Sequence, residues 1–106
     1  MITQKELKRL LIYDPRTGVF RWRINASARQ RKGEVAGHPR TGYIYIGIDY
    51  MIYGAHRLAF LYMTGMWPKE EIGHENDIRN DNRWRNLSEM THKQNMQSWW
   101  AKQRRK

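Results

Sequence analysis

The chain has 106 residues, a formal net charge of +10 and no cysteine. That length suits one small domain with a modest core, and the missing thiols exclude disulfides and thiolate zinc sites. The charge points to a polyanion as partner, because the basic residues gather in Arg29–Arg40, Arg79–Arg85 and Lys102–Lys106 among aromatics and polar amides. The N-terminus carries no apolar signal region and no run is long enough to span a bilayer. The expectation is therefore a protein that meets no membrane and works in the cytoplasm of the cell that makes it.

In chain order, Thr3-Gln4-Lys5-Glu6 reads as a capping box. Leu7, Leu10 and Leu11 follow with the i, i+3, i+4 spacing of one buried helical face. Tyr13 to Gly18 (Y-D-P-R-T-G) stops that helix, since Pro15 cannot continue the hydrogen-bond ladder and Gly18 allows a turn. Val19 to Arg23 predicts a half-buried strand. Ile24 to Pro39, polar and basic, predicts a loop that crosses a phosphate backbone with Arg29, Arg31 and Lys32. Thr41 to Ile48 predicts a strand with Ile44, Ile46 and Ile48 on one face and Tyr43 and Tyr45 on the other. Asp49-Tyr50 turns it back into Met51–Tyr53, with no glycine to set the turn type. Ala55 to Thr64 predicts a helix that buries Leu58, Leu61 and Tyr62 and ends at Gly65. A short strand at Ile72–His74, a polar loop through Arg85, a short strand at Leu87–Met90 and a helix from the second capping box, Thr91 and Gln94, to about Lys102 complete the reading. No internal repeat is present, and no histidine pair has the close spacing of a zinc site, so no zinc is expected.

The informative stretch is Gly73 to Gln97, G-H-E-N-D-I-R-N-D-N-R-W-R-N-L-S-E-M-T-H-K-Q-N-M-Q. Its H-x-N, D-N-R, N-L and late Asn95 resemble, in register, the phage and intron-associated HNH endonucleases, whose usual run is D-H-I-N-G-x-x-x-D-N-R-x-x-N-L-R with a later N. The segments A-H-R-L-A-F-L-Y-M-T-G-M-W-P, Y-D-P-R-T-G-V-F-R-W and G-Y-I-Y-I resemble the same family, so the likeness runs to about Gln97. It implies an α+β fold: an N-terminal helix, strands and helix over residues 1–66, a ββα-metal (His-Me finger) unit over 67–102, and a basic tail, 103–106.

The resemblance implies a metal-dependent DNA endonuclease. His74 would be the base, Asn95 would supply an oxygen to a divalent ion of the Mg²⁺ type, with Mn²⁺ as the alternative, and Asn86 would hold the loop and orient the His74 ring. That division suits the chemistry: a neutral imidazole takes a proton from water near neutral pH, and a hard cation offsets charge on the phosphate. Asn82 and Asp81 are read as caps of loop amides, His56 as a packing or hydrogen-bonding residue, and His92 as an exposed first-turn residue. Double-stranded DNA is the expected partner, met by Arg29, Arg31, Lys32, Arg79, Arg83, Arg85, Lys93, Lys102, Arg104 and Arg105; the oligomeric state is not legible.

Gly73 stands where the family has its anionic metal ligand, and a hydrogen side chain ligates nothing. Glu75 or Asp77 could substitute, the metal could bind weakly, or cleavage could be lost while a DNA-binding scaffold survives. Asp77 for the usual glycine and Ser88 for the usual arginine are lesser departures. A different reading is an RNA-binding module that stacks bases on Tyr43, Tyr45 and Trp99.

Overall fold

The computed structural model describes residues 1–104, of which 103 and 104 without their side chains. Helix α1 (Gln4–Leu10) leads into strands β1 (Leu11–Tyr13) and β2 (Phe20–Trp22). Strands β3 (His38–Arg40), β4 (Tyr43–Ile48) and β5 (Met51–Gly54) precede helix α2 (Ala55–Thr64). Strand β6 (Glu71–His74), a single 3-10 turn (Trp84–Asn86), strand β7 (Leu87–Met90) and helix α3 (His92–Arg104) follow. Every pairing is antiparallel: β1 with β2, β4 between β3 and β5, and β6 with β7. The fold is thus α+β, as expected, and β6, β7 and α3 form a ββα unit.

Thr3 caps α1 by accepting from the Glu6 amide at 3.2 Å, but the Glu6 carboxylate turns to Arg9 and leaves the box half closed. The helix ends one residue before the leucine stripe does. Leu11 is extended (φ −130°, ψ 153°) and pairs with Trp22, so strand pairing wins over another helical turn while Leu11 stays in the core. Leu7 and Leu11 meet Leu58 and Leu61 of α2 and Ile46 of β4 in the deepest layer. Removing such side chains from water drives the fold.

Residues 24–39 are not the free loop that their polarity predicts. Trp22 N–H donates to the Glu34 carbonyl at 2.9 Å, Arg21 bridges Val35, and His38–Arg40 adds an edge strand to β4. Backbone groups beside the core need partners whatever their side chains, and the glycines and proline of this stretch hide that from pattern reading. Arg29, Arg31 and Lys32 remain exposed. In the β4–β5 turn both Asp49 (φ 49°) and Tyr50 (φ 64°) are left-handed, so a primed two-residue turn forms without glycine. Gly65 ends α2 in the left-handed conformation (φ 83°), as predicted. Among the described residues no helix is long and apolar enough to cross a membrane.

Candidate functional site

The β6–β7 register sets Gly73 opposite Ser88 and His74 opposite Leu87. Beyond His74 the chain turns sharply: Asp77 N–H donates to the His74 carbonyl at 2.9 Å, and Asp77 takes φ 60°. Helix α3 is started by a complete capping box, with Thr91 N–H donating to Gln94 Oε1 (2.9 Å) and Gln94 N–H to Thr91 Oγ1 (3.1 Å). It carries Asn95 and Trp99 past β6. Between them lies a cleft of about 300 Å³, lined by Gly73, His74, Asp77 and Arg79 on one side and by Asn95 and Trp99 on the other. Tyr43 of β4 also lines it.

His74 is only 9% exposed, and its Nε2 lies 2.9 Å from Oδ1 of Asn82, itself buried. An acceptor at Nε2 requires the proton of a neutral ring to sit there, which leaves Nδ1 as the basic nitrogen. This corrects the expected division of labour. The sequence suggests Asn82 as a cap of loop amides, yet its side-chain oxygen holds the histidine. Asn86, expected to orient the ring, holds only the loop: its Nδ2 donates to Asn76 Oδ1 (2.9 Å) and to the Asp81 carbonyl (2.8 Å), and its Oδ1 accepts from Asn76 N–H (3.1 Å). An amide with two donors and an acceptor, only 4% exposed, satisfies three polar groups of the loop at once.

Asp81 caps the Arg83 amide weakly, as expected, and takes the Arg83 guanidinium at 2.8 and 2.7 Å. That pairing, with Asn76 adding a hydrogen bond, pulls the Asp81 carboxyl down to about 2. Arg83, expected on DNA, is therefore engaged within the loop. Arg79 spreads its guanidinium over the Tyr43 ring at 5.2 Å and lines the cleft. Arg85 and Lys93 are exposed; Lys102 donates to the Glu75 carbonyl and lies 3.4 Å from Asp77 Oδ2. Arg105 and the side chain of Arg104 lie outside the described residues.

His56 packs beneath the site, its ring 5.4 Å from that of His74 and 5.2 Å from that of Tyr43. Its buried Nδ1 has no partner among the described residues. Burial first, then the charges of His74 and Arg57, push its pKa down to about 4. His92 is exposed, as expected, and also pairs with Glu71 at 2.8 Å. The other Glu71 oxygen accepts from Asn95 Nδ2 at 3.3 Å, and Asn95 Oδ1 faces residue 73.

A Cβ added at Gly73 would stand 3.2 Å from Asn95 Oδ1, so position 73 and Asn95 converge. The same Cβ would be 2.9 Å from Met90 Cε, where methionine fills the vacant space. Of the two carboxylates that could substitute, Glu75 turns to Ser88 Oγ (2.7 Å) and Asp77 lines the cleft with Lys102 beside it. Among the described residues no cluster of three histidine, aspartate or glutamate side chains is placed to hold a metal. One neutral amide oxygen and one carboxylate already paired with an ammonium do not fit a tightly held divalent ion.

Two short antiparallel strands, a loop locked by amide side chains and a helix crossing a histidine-floored cleft define the ββα class of site. Residues 53–97, from the end of β5 into the first half of α3, match the family described as HNH endonuclease. No curated protein and no solved structure matches the chain. Asn82, Tyr43 and Trp99 are the site residues that sequence reasoning missed or misassigned; the D-N-R triplet held the signal for Asn82, but only its burial separates a ring partner from a loop cap.

Proposed function

We propose that this chain is an HNH-type nuclease that binds duplex DNA and hydrolyses its phosphodiester bonds, with His74 as the general base. The observation that carries the reading is the buried Asn82–His74 hydrogen bond at the floor of a cleft that also holds Arg79 and Asn95. With the proton held on Nε2, Nδ1 accepts a proton from water as the water oxygen attacks phosphorus and the bond from phosphorus to the departing sugar oxygen breaks, that oxygen taking its proton from solvent. Arg79 stands beside this path to offset charge on the phosphate, and the exposed Arg29, Arg31, Lys32, Arg85 and Lys93 supply sequence-independent backbone contacts. This reading puts the protein with DNA inside a cell, a bacterial host if the gene is a phage's.

The HNH family uses divalent ions in general, of the Mg²⁺ type in this reading. Because this chain's ligand set is incomplete, cleavage should be slow and should demand high metal concentration. The second reading, a DNA-binding protein on an inactive HNH scaffold, draws on that incomplete set. Plasmid nicking in Mg²⁺ or Mn²⁺ separates them. The wild-type chain should nick faster than His74→Ala by about a hundredfold, the usual worth of a positioned base, while both bind duplex DNA alike. Equal rates at matched binding would leave the scaffold reading.

A further inference from the structure

Asn82 is held from outside the segment that matches the HNH family. The Tyr13 hydroxyl, at the end of β1 and buried, donates to the Asn82 carbonyl at 2.5 Å across 69 positions of sequence. The Trp84 amide donates to the Pro15 carbonyl at 2.9 Å. Gly18 has φ 77°, and a Cβ there would lie 2.2 Å from the Asn82 carbonyl carbon and 2.4 Å from the Arg83 nitrogen. The turn between β1 and β2 therefore meets the loop between β6 and β7 at the carbonyl of Asn82 and along the two residues that follow it, and the Asn82 side chain is the one hydrogen-bonded to His74.

We propose that the turn Tyr13–Gly18 is a positioning element for the base, setting the Asn82 backbone so that its side chain holds the His74 proton on Nε2 and leaves Nδ1 free. The proposal rests on the reading of His74 as base. It gives a function to residues that no family match covers, and it explains why the front turn has the residues it has. Tyr13 brings a hydroxyl that reaches Asn82 while its ring packs at a tilt against Phe20, with centroids 4.8 Å apart. Gly18 leaves the space that the Asn82–Arg83 backbone occupies, and Pro15 presents a carbonyl from a stiffened corner. The hydroxyl is not needed to turn the chain between two strands, and the glycine that the left-handed φ of 77° favours at position 18 also leaves no Cβ to meet the Asn82–Arg83 backbone.

The test is the tautomer of His74, read from imidazole ¹⁵N shifts in the full chain at about pH 8, where an ordinary imidazole is neutral. The wild type should show the proton on Nε2. Asn82→Ala should shift the ring towards a mixture of tautomers, and Tyr13→Phe, which removes only the hydroxyl, should move it part of the way in the same direction. Pro15→Gly, which loosens the turn without touching Asn82, is the second variant and should act as Tyr13→Phe does. In nicking assays kcat should fall on the order of tenfold for Tyr13→Phe with KM unchanged, since a misdirected base loses chemistry and not binding. Wild-type ¹⁵N shifts in Asn82→Ala, or in whichever turn variants fold, would overturn the proposal. Shifts that move as described in a chain that never cuts would keep the coupling and remove the nuclease reading.

Discussion

At Gly73 the absence of a single side chain reshapes the site. Met90 occupies the space, and Asn95 faces a neighbour with no charge. Gly73→Asp should raise Mn²⁺ affinity, measured by calorimetry on the DNA-free chain, because it adds a full anion beside a neutral oxygen. The gain should be larger with Met90→Ala in the same chain, where the new Cβ no longer meets the methionine methyl. No change in affinity in either chain would show that position 73 and Asn95 do not share an ion. His56 gives a second prediction at this scale. Its folded-state pKa of about 4 lies below the ordinary 6.5, so between those values the unfolded chain binds a proton that the folded chain refuses. Stability should therefore fall as pH drops from about 6.5 towards 4, and His56→Leu, followed by denaturant unfolding across that range, should lose much of this acid sensitivity. An unchanged pH profile in the variant would assign the acid loss to other groups.

Among the elements, α3 decides whether there is a cleft at all. It touches the rest of the site through Glu71 with His92 and Asn95, and through Lys102 with Asp77 and the Glu75 carbonyl. These contacts are exposed, and exposed ion pairs are weak. The helix thus leans on its own start, where Thr91 and Gln94 cap each other. Thr91→Ala should cost about 1 kcal/mol of helix stability and should show as faster amide exchange in α3 with the core unaffected. Uniform exchange across the chain would contradict that separation. β1 and β2 are the opposite case: their turn is clamped to the loop that carries Asn82 by contacts with its backbone, although the two are far apart in sequence.

For the whole molecule, a net charge of +10 predicts binding ruled by counterion release. Affinity for duplex DNA should fall by on the order of a thousandfold between about 50 and 200 mM salt, measured by anisotropy; a nearly flat response would remove the phosphate-dominated picture. Arg83 should contribute little to that slope, since Asp81 already holds it, whereas Arg85 and Lys93 should contribute fully. The sequence by itself determined the α+β order, the second capping box, the glycine stop of α2 and the register of His74, Asn86 and Asn95. Each of these rests on local periodicity, backbone chemistry or spacing along one stretch. Only the tertiary structure decided which amide faces the His74 ring, which carboxylate lines the cleft, and that residues 34–40 are partly sheet. Those outcomes depend on neighbours brought from elsewhere in the chain: Tyr13 and Gly18 at Asn82, Lys102 at Asp77, β4 beside β3. A buried polar group takes the partner that packing delivers, and spacing along the sequence carries no record of that delivery.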